Sequence, residues 1–144
     1  MPQIAFHFNA PDKLDYACRF IRKAMRHDAR VTVVAPLERL RQLSVRMWKF
    51  GGHEFLAHAV QGDDAELFTL APVVLVESAQ ASLHHEVLLN LGPEMPLGFE
   101  DFTKVVEVVS SFDEEDRSLA RTRWRNYQNA GHSIERFDLV LNQG

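Results

Sequence analysis

The chain has 144 residues, 46% hydrophobic and 25% charged, which is one ordinary domain with enough apolar material for a core without disulfides or metal. That composition excludes global disorder, and a formal net charge of −4 argues against a general nucleic-acid binder, which carries excess Lys and Arg to meet phosphates. The single cysteine, Cys18, excludes an intramolecular disulfide, fits a reducing compartment and reads as a small buried hydrophobe.

Short apolar runs alternate with helical segments along the chain. Ile4 to Phe8 reads as a first strand ended by Asn9. Pro11 and Asp12 open a helix whose apolar positions Leu14, Ala17, Cys18, Ile21 and Met25 follow helical spacing. Val31 to Ala35 is β-branched and apolar on both faces, as a covered central strand requires. Pro36 starts a second helix, with Leu37, Leu40, Val45 and Trp48 read as inward-facing and Gly51-Gly52 as its end. Val73 to Val76, Val87 to Leu91 and Val105 to Val109 are three further strands, with a helical turn at Phe99 to Phe102. A last helix runs from about Asp113 to Ala130 and stops at Gly131. The expected fold is one α/β domain over residues 1–144. Its architecture is a three-layer sandwich with a largely parallel twisted sheet flanked by helices.

No linker, repeat or low-complexity tract divides the chain, and no window approaches the ~20 apolar residues of a spanning helix. No basic start followed by an apolar run marks a signal peptide, so the expected location is the cytoplasm. The first strand runs into Asn9-Ala10-Pro11-Asp12, without the glycines that let a backbone approach a pyrophosphate, so the fold is Rossmann-like without a nucleotide-binding loop. His84 and His85 are adjacent and point apart, and His53 and His58 lack the helical spacing of a zinc pair, so neither metal nor cofactor is expected. Glu77, at the end of a strand, is the best isolated acid. With a histidine such as His84 it would serve a small α/β hydrolase or nucleotide-dependent enzyme, the alternative function. The absence of a nucleophile elbow weighs against it.

Two segments are unusual. Ser111-Phe-Asp-Glu114 has capping-box spacing before a helix that carries Arg117, Arg121, Arg123 and Arg125 around Trp124. Helical geometry puts Arg117, Arg121 and Arg125 on one stripe with Trp124 beside Arg121. Either these arginines are a solvated face paired with acids such as Asp113 or Asp116, or they form a cationic notch with an apolar floor. Such a notch fits an acidic peptide ending in an aromatic and a free carboxylate. The second segment, Met47-Trp48-Lys49-Phe50-Gly51-Gly52-His53-Glu54-Phe55, concentrates three large aromatics around a Gly-Gly turn. Trp48 and Phe55 are either core residues or an exposed patch for a partner.

The series Phe6-x-Phe8, Leu43-x-x-x-Met47-Trp48, Phe55-x-x-His58, Pro72-Val-Val-Leu75, Leu88-Leu-Asn-Leu91, Phe99 with Phe102, Glu107-Val-Val109 and Ala120-Arg-x-Arg-Trp-x-x-Tyr127-x-x-x-Gly131 resembles the chi subunit of bacterial DNA polymerase III over nearly the whole chain. The resemblance implies a non-catalytic accessory subunit of the clamp-loader assembly. Its implied partners are the psi subunit, through a surface some members also offer to a helicase, and the C-terminal tail of single-stranded-DNA-binding protein. The tail-binding positions fall on Arg121, Trp124 and Arg125, where the family often has Tyr and Lys at the last two. The psi-side aromatics fall on Trp48 and Phe55, with Ser44 replacing an acid and Ala57 a frequent proline.

Overall fold

The computed structural model describes residues 1–50 and 56–140, so Phe55 lies outside the described residues. In chain order the elements are β1 (Gln3–Ala10), α1 (Lys13–Arg26), β2 (Val31–Val34), α2 (Leu37–Lys49), β3 (Ala59–Val60), α3 (Ala65–Leu70), β4 (Val73–Val76), β5 (Val87–Asn90), β6 (Lys104–Ser110), α4 (Glu114–Asn129) and β7 (Ile134–Asp138). Short 3-10 turns sit at Ala79–Ala81 and Phe99–Asp101. The strands form one sheet in the order β3-β4-β2-β5-β6-β1-β7, with every pairing parallel. The expected α/β class and flanked parallel sheet are what the molecule has.

A parallel sheet must be covered on both faces, because each crossover lays a helix against it. Here α1 and α2 cover one face, where Cys18, Ile21, Leu40, Leu43 and Met47 pack on Val33, Leu75, Leu89, Val106 and Val108. On the other face Tyr127, Ala120, Phe99 and Phe102 pack on Ile4, Phe6, Val74, Leu88, Val105 and Val109. The alternation along β6 follows directly: Val105, Glu107 and Val109 point to the α4 side and Val106 and Val108 to the α1 side. Burial raises the Cys18 thiol to about 11, which leaves it a packing residue.

Helix α2 corrects one expectation. Its buried stripe is Leu40, Leu43 and Met47, at i, i+3 and i+7, while Val45 and Trp48 face outward. A capping detail also differs: the N-cap of α4 is Asp113, whose carboxylate accepts from the Asp116 N–H, and Ser110 rather than Ser111 serves the preceding turn. Elements β3, α3 and β7 were not expected. α3 buries no residue and β7 is exposed over its middle three, so neither carries the apolar run that marks an element.

The α1 side holds one buried polar group from β1. His7 stands among the rings of Tyr16, Phe20 and Phe137, with its Nδ1 2.6 Å from the Tyr16 hydroxyl. Burial, with Lys104 and Lys23 nearby, lowers its pKa to about 4, so the imidazole is neutral at pH 7.

Candidate functional site

Helix α4 is set in place by a buried polar network. Glu107, in the middle of β6, is fully buried, a position no carboxylate holds without partners. Its oxygens accept from Arg123 Nε at 2.8 Å, Tyr127 Oη at 2.7 Å and Asn90 Nδ2 at 2.9 Å. Arg123 also donates from Nη1 to the Pro93 carbonyl at 3.0 Å, tying the loop after β5 to the helix. Burial pushes the Glu107 carboxyl upward against Arg123 and the Asn90 and Tyr127 donors, and the same burial raises the Tyr127 phenol. At the N-terminal end of α4, Asp116 accepts from Lys13 at 2.8 Å and from the Ser110 N–H, which fixes the helix start against α1. Burial alone would raise Asp116, but these two donors overcome it and hold the carboxyl below its ordinary value.

The inner stripe of α4 is therefore Ala120, Arg123 and Tyr127, all buried. With that stripe fixed, helical geometry turns Arg117, Arg121 and Trp124 toward the edge of the sheet. There they meet Phe6 and Phe8 of β1 and Arg136 of β7 around a cleft of about 170 Å³. The Trp124 ring is half-buried and packs edge-on to Phe6, with centroids 5.0 Å apart. Arg117 Nη1 donates to the Ser111 carbonyl at 3.1 Å, and Arg121 Nη2 to Glu114 at 3.0 Å across the solvent-exposed surface. Arg136 lies with its guanidinium carbon 5.3 Å from the centre of the Phe8 ring. Among the described residues lining the cleft are three arginines and no carboxylate, over a floor of aromatic rings. Such a surface suits an anionic group attached to an apolar body: guanidinium forks bind carboxylates and the rings bury what the carboxylate is attached to.

The structure thus brings together two of the three residues expected to share a site, Arg121 and Trp124. Arg125 is exposed, outside the lining, with its Nη2 3.4 Å from the Thr122 hydroxyl. Arg123, which helical spacing sets apart from the stripe of Arg117, Arg121 and Arg125, is 1% exposed and belongs to the core. The missed cleft residue is Arg136, on the strand that lacked a sequence signal.

The second expected region lies on the opposite side of the sheet. Trp48 is 60% exposed, its ring 5.3 Å from that of His58, and His58 Nε2 is 2.8 Å from the Ser44 hydroxyl. Val45 is exposed on the same helix. Of the two readings open for Trp48, burial in the core is the one the structure excludes. Phe50 is half-buried under the Arg22 guanidinium, 4.8 Å from its ring centre. The enzyme alternative finds less. Glu77 is exposed and accepts from Gln61 at 2.6 Å, His84 is buried, and no hydrogen bond joins the two. Among the described residues no group of three or more His, Cys, Asp and Glu side chains is placed to hold a metal ion. None of the described helices is long and apolar enough to cross a membrane.

The family model described as DNA polymerase III chi subunit, HolC, matches residues 1–135. The chain belongs to the DNA polymerase III chi subunit family. It is also 32% identical over 124 residues to the DNA polymerase III subunit chi of Pseudomonas aeruginosa, a match covering 85% of this chain and 84% of that protein. The chi-family assignment makes the chain an accessory subunit of the replicative polymerase complex, with a role in DNA replication and protein partners within the holoenzyme. For a chi-family subunit a cleft lined by cations and rings, rather than a constellation of acids and nucleophiles, is the feature to explain.

Proposed function

We propose that the chain is a non-catalytic adaptor that links the clamp loader to coated single strands. In this reading the α4 cleft captures the acidic C-terminal tail of single-stranded-DNA-binding protein, and the Trp48 side of α2, with Phe55, takes a psi-type subunit or a helicase. The carrying observation is the cleft itself: Arg117, Arg121 and Arg136 surround the Trp124, Phe6 and Phe8 rings, with no carboxylate among the described residues that line it. Arg121 meets a tail carboxylate, Trp124 packs on the terminal aromatic, and Arg125, exposed on the same helix, attracts acidic residues further back along the tail. Contacts of this kind at an exposed site give micromolar, salt-sensitive binding.

The test is calorimetry with the tail peptide, paired with co-purification of the psi-type subunit. Arg121→Ala should weaken the peptide by roughly 1–3 kcal/mol, the range for a charge-assisted hydrogen bond in a partly desolvated site. The melting temperature should barely move, because Arg121 is exposed. Trp48→Ala should leave tail affinity near wild type and abolish co-purification with psi. Unaltered tail affinity in the Arg121 variant would sink the tail assignment, and retained psi binding in the Trp48 variant the other.

A further inference from the structure

β1 and β7 are parallel neighbours at the sheet's edge, and the register places Arg136 directly beside Phe6. Side chains alternate along a strand, so Arg136 shares the face of Phe6 and Phe8, while Phe137 goes with His7 to the other face, where their rings are 5.0 Å apart. Arg136 accordingly stands on the wall of the cleft that faces α4. An arginine lying over an aromatic ring is held by its flat face and keeps the N–H groups along its edge available to an anion. The three cleft arginines differ in this respect. Arg117 already donates to a carbonyl and Arg121 to Glu114, whereas the Arg136 guanidinium has no hydrogen-bond partner among the described residues.

We infer that Arg136 is a second anion clamp, on the β7 wall, and that a ligand of the cleft is anchored at two negative groups rather than one. This rests on the tail-capture reading. One anionic group meets Arg121 and Arg117 on α4, the apolar side chain settles on the Trp124 and Phe8 rings, and the other anionic group meets Arg136. The ligand class is narrowed by this arrangement. A peptide ending in an apolar residue with a free carboxylate, and carrying an acidic side chain close by, has both charges on a short apolar body. A peptide with only one of them engages one wall. The stripe of α4 alone, Arg117, Arg121 and Arg125, would have sufficed for a ligand lying along the helix. The structure instead points across it, toward the sheet edge.

The experiment uses the full chain and a synthetic nine-residue acidic peptide ending in phenylalanine with a free carboxylate. Variants Arg136→Gln, Arg136→Glu and Arg121→Ala are compared with wild type by calorimetry at several salt concentrations, and each is checked by thermal melting. Arg136→Gln should weaken binding about tenfold at low salt, the loss of one charge-assisted contact, and Arg136→Glu should bring it below detection. The wild-type salt dependence should become shallower in the Gln variant, since one ion-pair contact has gone. Melting temperatures should stay close to wild type, because Arg136 is an exposed residue on an edge strand. Arg136 variants that bind within twofold of wild type while Arg121→Ala loses the peptide would overturn the second clamp and leave the tail reading standing. Unchanged binding in all three variants would remove both.

Discussion

Arg121 and Arg123 are two residues apart on one helix, yet they belong to different parts of the molecule's physics. Arg123 is buried against Glu107, with Tyr127 and Asn90 completing the carboxylate's partners. Arg121 is more than half exposed at the lip of a cleft, where its partner among the described residues is the still more exposed Glu114. The first arrangement holds the helix, because separating a desolvated pair leaves a bare charge inside the protein. The second is weak enough to be exchanged for a ligand's carboxylate, since ion pairs in water are worth little. Residue type says nothing about which is which. The direction of the Cβ on the helix decides it.

The most forceful way to break this contrast is to remove the inner arginine. Arg123→Ala strands Glu107 in the core, and the expected loss is about 3–5 kcal/mol of folding stability. Chemical denaturation should show it as a lower midpoint, and tail affinity should vanish only in step with the folded fraction. Glu107→Gln tests the same pair from the other side and should cost less, because a neutral amide tolerates burial better than an unpaired ion. If Arg123→Ala were as stable as wild type, the network would not be what sets α4 against the sheet.

A control from the opposite face sharpens the separation between stability and affinity. The folded pKa of His7 is about 4, below its ordinary 6.5. The unfolded chain therefore binds the proton more readily, stability is full above pH 6.5, and it falls as pH drops toward 4. Between pH 7.5 and 5 this one group should cost about 2 kcal/mol of folding stability. His7→Gln should be flatter than wild type over that range in denaturation measurements, with other titrating groups cancelling in the comparison. The cleft, lined by arginines and aromatic rings rather than by His7, should bind its peptide equally well at both pH values as long as the domain is folded. Parallel pH profiles for the variant and wild type would show that His7 is not held neutral.

What the sequence made legible follows the same division between inside and outside. Strands β1, β2, β4, β5 and β6 and helices α1, α2 and α4 announce themselves because each contributes an apolar run or stripe to a core. β3 has two residues and β7 alternates charges along an exposed edge, so neither leaves an apolar trace. The cleft inherited this blind spot. Arg121 and Trp124 could be found from helical spacing, but Arg136 required knowing that β7 pairs beside β1. Arg123 could have been separated from its neighbours by two clues taken together. A glutamate in the middle of Val105-Val-Glu-Val-Val109 needs a buried cation, and Ala120, Arg123 and Tyr127 share the i, i+3, i+7 stripe that must face it. On α2 the same rule would have chosen Leu40, Leu43 and Met47 over Trp48, whose size suggested the core more strongly than its position allowed.

The smallest expected effect is also the one that tests the outer arginine most directly. Glu114 sits two turns before Arg121 and accepts from it at 3.0 Å, with its own side chain 76% exposed. Two roles are open to such an acid, and they predict opposite signs. As a competitor it occupies the guanidinium that a tail carboxylate needs, so Glu114→Gln should tighten the acidic peptide. As a positioning group it holds Arg121 over the cleft, so the same change should weaken it. The exposure of both side chains favours competition, because a pair this wet restrains its members little and is readily replaced by a ligand whose carboxylate is partly desolvated against Trp124. We expect Glu114→Gln to improve peptide affinity about two- to threefold at low salt, with the gain fading as added salt screens both interactions. Stability should fall by only a few tenths of a kcal/mol, the worth of one acid in the first turn of a helix. Weaker peptide binding in Glu114→Gln would mean that Arg121 depends on its neighbour for direction, and the contrast between a fixed inner arginine and an exchangeable outer one would have to be redrawn.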